Sequence, residues 1–108
     1  MQAEPNETLW LNERLEFSLA EFVELSGLSE QEIRELVDYG ALEPVNPQAK
    51  QWTFSAQRVT STRTACRIRN DFSLDLHGLA LILSYLDRIH ELEVQVQDLR
   101  ARLPRWLR

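Results

Sequence analysis

The sequence predicts a mainly α protein, with a winged helix-turn-helix body followed by a long C-terminal helix. Two short helices with capping signals, joined by Gly-Leu-Ser, predict the helix-turn-helix. A heptad pattern near the end of the chain predicts the long helix. We divide the chain into an N-terminal arm with a short strand (residues 1–16), the winged body (residues 17–72) and the heptad-bearing helix (residues 73–108), all in one structural domain.

The body opens with a short strand and a first helix. Apolar residues roughly alternate along TLWLNERLEF, which predicts a strand that ends at Phe17. Ser18 and Glu21 have the spacing of a capping box, in which each side chain bonds the other residue's backbone N–H. The first helix should therefore begin after Ser18, and Gly27 should end it.

A second helix follows after a three-residue turn. Ser29 and Glu32 repeat the capping-box spacing. The helix should run to about Tyr39 and stop at Gly40, since glycine readily adopts the conformation that ends a helix. The two capped helices together form the helix-turn-helix unit.

A wing and a third helix complete the body. The turn-forming pair Asn46-Pro47 precedes an alternating segment, which predicts a short strand at residues 52–54. Ser55 can cap a third helix over residues 56–72. This helix is rich in threonine, a mediocre helix former, so we expect it to depend on packing. The apolar residues available for that packing are Val59, Ala65, Ile68 and Phe72.

The last helix should run from residue 76 to about residue 103, where Pro104 halts it. Its first turns carry an extra apolar stripe for the body, Leu76, Leu79, Leu83 and Leu86. Beyond His90 it has only a heptad seam, which predicts a coiled-coil pairing with a second copy and hence a homodimer. The flanking charges leave parallel and antiparallel pairing open. The predicted dimerisation residues are Ile82, Tyr85, Ile89, Leu92, Val96, Leu99 and Leu103.

Composition restricts the class of protein. The chain is 44% apolar and 27% charged, as in ordinary globular proteins. No apolar run approaches the ~20 residues of a membrane span, and the acidic start lacks the basic leader of a secretory signal. We therefore expect a cytoplasmic protein without a membrane partner.

Nothing in the sequence predicts an enzyme or a cofactor. It has no glycine-rich phosphate loop and no Ser, His and Asp set with supporting motifs. His77 and His90 lie thirteen positions apart on one helix and cannot share a metal ion, so no metal site is expected. Cys66 is the only cysteine; we interpret it as a small core residue, with redox sensing as the alternative.

Charge is segregated along the chain. Between positions 16 and 43, eight acidic residues stand against Arg34 alone, whereas positions 50–70 carry five basic residues and no acid. A winged helix-turn-helix is typical of DNA binding, but the second helix would present four carboxylates and one guanidinium to the phosphates. This favours a basic protein surface as partner, although the acids could also serve solubility alone.

Arginines on the third helix keep a DNA-binding role open. The residues concerned are Arg58, Arg63, Arg67 and Arg69. The other interpretation is a solvated face, partly neutralised by the acidic helices of the same molecule.

The stretch FSLAEFVELSGLSEQEIRELVDYGALEP resembles the MerR-type helix-turn-helix. The residues at framework positions of that family are Leu19, Gly27, Leu28, Ser29, Ile33, Arg34 and Gly40. DNA-binding members have aromatic residues after the helix arginine, where this chain has Glu35 and Leu36, and they have a glycine-containing wing, which NPQAKQWTFS replaces. These departures argue against DNA binding but leave the fold unchanged.

Over about residues 15–103 the chain is more similar to the CbpM chaperone-modulator family, through the order and spacing of SLAEF, SGLSEQEI, GALEP, WTFS and DFSLDLHGLALILSYLDRI. The resemblance implies a dimeric adaptor that binds the J-domain of a CbpA/DnaJ-like co-chaperone and inhibits its action with the DnaK-type chaperone. A MerR-like DNA-binding transcriptional regulator is the alternative. The expected J-domain contacts are the acids Glu24, Glu30, Glu32, Glu35 and Asp38, with Tyr39 or Leu28 adding apolar contact.

Overall fold

The computed structural model describes residues 15–107 and confirms a mainly α fold with a small sheet. The predicted arm therefore lies almost entirely outside the described residues. In chain order the elements are β1 (Glu16–Ser18), α1 (Leu19–Ser26), α2 (Glu30–Asp38), β2 (Thr53–Ser55), α3 (Ala56–Phe72), α4 (Leu76–Ala101) and a 3-10 turn (Arg105–Leu107).

Both predicted capping boxes form. Ser18 Oγ accepts the Glu21 N–H at 3.1 Å, and the Glu21 carboxylate accepts the Ser18 N–H at 2.8 Å. Ser29 and Glu32 repeat this arrangement at 3.1 and 3.0 Å. Gly27 ends α1 with φ 83°, a left-handed conformation that costs glycine little. These local bonds fix where α1 and α2 begin.

The two strands form an antiparallel pair that joins the start of the body to the wing. Phe17 lies opposite Phe54, and both side chains are fully buried. Thr53 Oγ1 donates to the Glu16 carboxylate at 2.8 Å. The wing strand lies one residue later than the predicted 52–54, and β1 extends one residue past Phe17. Both strands were predicted from the sequence, but their pairing was not.

A single apolar cluster holds α1, α2, the sheet, α3 and the start of α4 together. Phe22 and Phe54 pack with their ring centroids 4.5 Å apart. The fully buried large side chains of the cluster are Phe17, Phe22, Leu28, Ile33, Leu36, Leu42, Phe54, Val59, Leu79 and Leu83. This core orients α2 so that its polar side faces outward.

Helix α3 packs through fewer residues than predicted. Val59 and Ala65 are fully buried and Ile68 is half-buried, but Phe72 is 71% exposed. The expectation that Phe72 packs in the core is wrong, because it is the last residue of α3 and the chain turns away at Ser73 (φ 56°). Part of the helix's buried face is instead polar: Thr62 is fully buried, and its hydroxyl has no hydrogen-bond partner among the described residues.

Helix α4 leaves the body partway along its length. Leu79 and Leu83 are buried, while every residue from 88 to 107 is exposed. The helix has 26 residues and ends at Ala101, two residues before the predicted end, because a residue that precedes proline avoids the helical conformation. Across residues 15–107, no helix is both long and apolar enough to cross a membrane.

Candidate partner-binding surface

The acidic residues of α2 lie on its solvent side because Ile33 and Leu36 anchor the opposite side in the core. Glu30 and Asp38 are exposed, and Glu32 and Glu35 are half-buried. On the neighbouring helix α1, the predicted contact residue Glu24 is exposed. All five acids predicted to meet a partner therefore reach solvent to some degree.

Intramolecular contacts already engage two of these carboxylates. Glu30 Oε2 lies 2.9 Å from Arg34 Nη2 on the same helix. Glu32 both caps Ser29 and lies 3.6 Å from Arg69 Nη1 of α3. Their charge is therefore partly satisfied within the protein.

The other three predicted acids are not neutralised by any cation among the described residues. Glu35 accepts a long bond from Gln31 at 3.4 Å, which leaves its charge uncompensated. Within residues 15–107, Glu24, Glu35 and Asp38 form no ion pair. The uncompensated charge thus lies on the outer side of α1 and towards the C-terminal end of α2. We call these three residues the acidic face.

The one cation of α2 is held in place by its neighbours. The Arg34 guanidinium lies between the Glu30 carboxylate and the Trp52 ring, 5.2 Å from the ring centroid. Trp52 in turn donates its indole N–H to the Pro47 carbonyl at 3.3 Å. A phosphate approaching α2 would have to compete with Glu30 for this guanidinium.

The two apolar residues predicted beside the acids differ in exposure to solvent. Leu28 is 1% exposed and packs in the core, so its predicted contact with a partner is wrong; the tight turn between α1 and α2 points it inward. Tyr39 is 49% exposed and stacks on His77 of α4, with centroids 5.1 Å apart and planes 21° apart. Tyr39 therefore stays on the candidate surface and links it to α4.

Two of the four arginines of α3 form ion pairs with acids of the same molecule. Arg58 forms a half-buried ion pair with Asp87 of α4, and Arg69 pairs with Glu32. Arg63 also has an interaction partner, whereas Arg67 is exposed. Neutralisation by an acidic helix, as the sequence predicts, is seen for Arg69, whereas Arg58 pairs with α4 and both arginine side chains are only 21% exposed rather than solvated.

The heptad seam of α4 forms an apolar stripe on the surface. Ile82 is half-buried and packs against the core. The other predicted dimerisation residues are 40–62% exposed, namely Tyr85, Ile89, Leu92, Val96, Leu99 and Leu103. Leu74 and Leu81 are also exposed, although the sequence predicted no surface there. The signal that could have found Leu81 is its four-residue spacing from both His77 and Tyr85, which places it on their side of α4.

Cys66 has the environment of a core residue. It is 7% exposed, and burial raises the pKa of its thiol, with Glu32 adding to the rise and Arg69 opposing it. A raised pKa lowers the thiolate fraction and hence the reactivity. In the part of the chain that the structure describes, no cluster of three or more His, Cys, Asp or Glu residues could hold a metal ion.

The fold is that of a MerR-type helix-turn-helix protein. Its defining features are the two capped helices, the strand pair that brings the wing onto the body, and the long helix that follows. A family model described as "MerR HTH family regulatory protein" matches residues 17–101. Proteins named "Chaperone modulatory protein CbpM" from Escherichia coli O1:K1 / APEC, O45:K1 (strain S88 / ExPEC) and O139:H28 (strain E24377A / ETEC) are each 33% identical over 96 residues. The match covers 89% of this chain and 95% of each relative. The chain belongs to the CbpM family of MerR-type helix-turn-helix proteins.

Proposed function

We propose that this protein is a chaperone modulator that binds the J-domain of a CbpA/DnaJ-like co-chaperone and inhibits its action with the DnaK-type chaperone. The name of its relatives supports the chaperone part of the proposal. The acidic face is the main reason to expect a basic partner. Its residues form no ion pair within residues 15–107, namely Glu24, Glu35 and Asp38.

The acidic face suits a cationic protein surface for two reasons. Uncompensated carboxylates attract such a surface before contact and can raise the association rate by a factor of about 10 to 10³. The rigid helix also holds Glu35 and Asp38 at fixed spacing, because α2 is capped at Ser29 and anchored by Ile33. Binding would occlude the basic surface through which a J-domain engages its chaperone, which accounts for inhibition.

DNA binding is the competing function, supported by the description of the matching family and by the exposed Arg67. Useful affinity for duplex DNA at physiological salt requires several cations at the phosphates. Here Arg34 is engaged by Glu30, and Arg58 and Arg69 are paired with acids. The acidic face would in addition repel the phosphates. Charge therefore favours the adaptor function.

We also propose that the protein is a homodimer paired through α4. The apolar stripe from Tyr85 to Leu103 has no protein core behind it. A helix whose only apolar stripe faces water gains stability by pairing, and a second copy supplies a matching stripe. Charges of both signs flank the stripe, including the ion pair between Arg88 and Glu91 at 3.0 Å, so like charges do not oppose self-association.

The experiment that tests the function is a binding titration with the full-length DnaJ-like co-chaperone. Wild-type protein should bind it, the affinity should fall as salt is raised from about 50 to 300 mM, and the stimulation of DnaK-type ATPase activity by the co-chaperone should fall as the protein is added. A Glu35→Lys/Asp38→Lys variant should associate at least about tenfold more slowly.

Asp98→Lys is the matched control, because this exposed residue lies on α4 far from the acidic face and away from the apolar stripe. It should bind like wild type. Tight binding of duplex oligonucleotides at about 150 mM salt, combined with no binding of the co-chaperone, would establish the DNA-binding function instead.

A further inference from the structure

We propose that the docking surface continues from α2 onto the first turns of α4, where Tyr39, Leu74, His77 and Leu81 form an apolar platform for the apolar side of a basic amphipathic helix. This inference rests on the proposed function and specifies which part of the protein determines the lifetime of the complex. We call these four residues the platform.

The platform is assembled by contacts between elements that are distant in the sequence. Tyr39 follows α2, and its ring stacks on that of His77 in the first turn of α4, 5.1 Å away. Leu74 packs against Gly78 in the same turn. The two residues are so close that a Cβ atom added to Gly78 would lie 3.0 Å from the Leu74 Cβ. Leu81 is four residues beyond His77 and so lies on the same side of the helix. The four side chains therefore share one surface.

This surface is not needed for the core. Leu79 and Leu83 hold α4 to the body from the other side of the helix and are fully buried. In contrast, Tyr39 is 49%, Leu74 37% and Leu81 55% exposed. Interaction sites typically leave several apolar side chains in contact with water at one place. Here three large apolar side chains and an imidazole do so.

Acidic residues border the platform. Glu35 is one helical turn before Tyr39, Asp38 precedes it, and Asp75 lies two residues before His77. None of these carboxylates forms an ion pair with any residue between 15 and 107. Asp75 caps α4 by accepting the Gly78 N–H at 2.9 Å, a bond that keeps its charge. The rim of the platform is thus acidic.

The acidic rim identifies the kind of partner. A second copy that met this surface with its own platform would place carboxylates against carboxylates. The distal stripe of α4 differs, because Arg88 and Glu91 lie beside it with opposite charges. A cationic partner would neutralise the acidic rim. An amphipathic helix would also fit, because its apolar side chains recur every three or four residues, the spacing of His77 and Leu81. Basic residues beside those side chains would meet Asp38 and Asp75.

Tyr39→Ala and Leu81→Ala test the platform separately from the acidic face. Each variant should bind the full-length DnaJ-like co-chaperone at least about tenfold more weakly, as expected for a central apolar contact. The loss should appear as faster dissociation with a nearly unchanged association rate, because neither substitution alters the charge. Alanine suits the helix at position 81, so the variant should fold.

Val45→Ala is the matched control, because Val45 in the wing segment is 52% exposed, much like Leu81, and lies outside the platform. It should bind like wild type. If wild-type protein binds the co-chaperone and both platform variants bind equally well, the platform is refuted while the proposed function stands. If wild-type protein does not bind, the proposed function fails as well. Loss of self-association by Leu81→Ala, with co-chaperone binding intact, would make the surface a contact between copies and overturn the proposal.

Discussion

Thr62→Val should stabilise the protein, because Thr62 is the clearest place where the core carries a polar group without compensation. The residue is fully buried in α3, and its Oγ1 has no hydrogen-bond partner among the described residues. A buried hydroxyl without a partner costs about 1–3 kcal/mol. Valine has nearly the same shape and replaces the hydroxyl with a methyl group, so the substitution removes that cost without creating a cavity.

The magnitude follows from two contributions. Removing the unpaired hydroxyl contributes about 1 kcal/mol at the lower end of its range. The added buried methyl contributes up to about 0.8 kcal/mol. Helix propensity hardly changes, since both residues are β-branched. We therefore expect about 1–2 kcal/mol of added stability, which for a domain of this size raises Tm by roughly 4–16 °C.

Urea unfolding followed by circular dichroism, at one fixed protein concentration, measures this change. The control is Thr60→Val, the same substitution at an exposed position of the same helix. It should change the free energy of unfolding by less than about 0.5 kcal/mol. If Thr62→Val is neutral or destabilising while the control behaves as expected, the hydroxyl is satisfied in solution and the reasoning is wrong.

Three further predictions concern the seam, a helix end and the buried thiol. Leu92→Asp should weaken self-association by about 100-fold in sedimentation experiments because it places a charge in the seam; Val94→Asp, similarly exposed on the other side of α4, should not. Gly27→Ala should lower the free energy of unfolding by about 1 kcal/mol, because alanine is strained at the left-handed φ of 83°. The space around Gly27 is open, so a steric clash adds nothing to this cost. Unchanged thermal unfolding would contradict the prediction. Cys66 should be alkylated much more slowly at pH 8 in the native protein than in urea, since burial raises the pKa of its thiol; equal rates would show that it is accessible.

Features that depend on neighbouring residues could be predicted from the sequence. The capping boxes of Ser18 and Ser29 formed as expected because both partners lie within one helical turn. The heptad seam followed from periodicity, and the acidic side of α2 followed from the alternation of Ile33 and Leu36 with charged residues. In each case the chain itself sets the distance between the interacting groups.

Features that depend on distant contacts could not be predicted. Phe17 pairs with Phe54, and Tyr39 stacks on His77, because the whole core brings those residues together. The same core buried Leu28, which the sequence pattern allowed to face a partner. Engagement of Glu32 by Arg69 also depends on how α2 packs near α3. The acidic charge of the candidate surface and the position of Tyr39 on it could therefore be predicted, whereas the contact of Tyr39 with α4 could not.

The Arg58–Asp87 ion pair marks where α4 leaves the body, since every residue from 88 onward is exposed. Beyond that point α4 projects from the body, and the packing of its earlier turns sets its direction. One residue inserted just after Asp87 would rotate everything beyond it by about 100° and advance it by about 1.5 Å. Changes of side chain on the outer side of α4 leave the direction of the apolar stripe unchanged, whereas only insertions of about seven residues would keep the stripe on the same side.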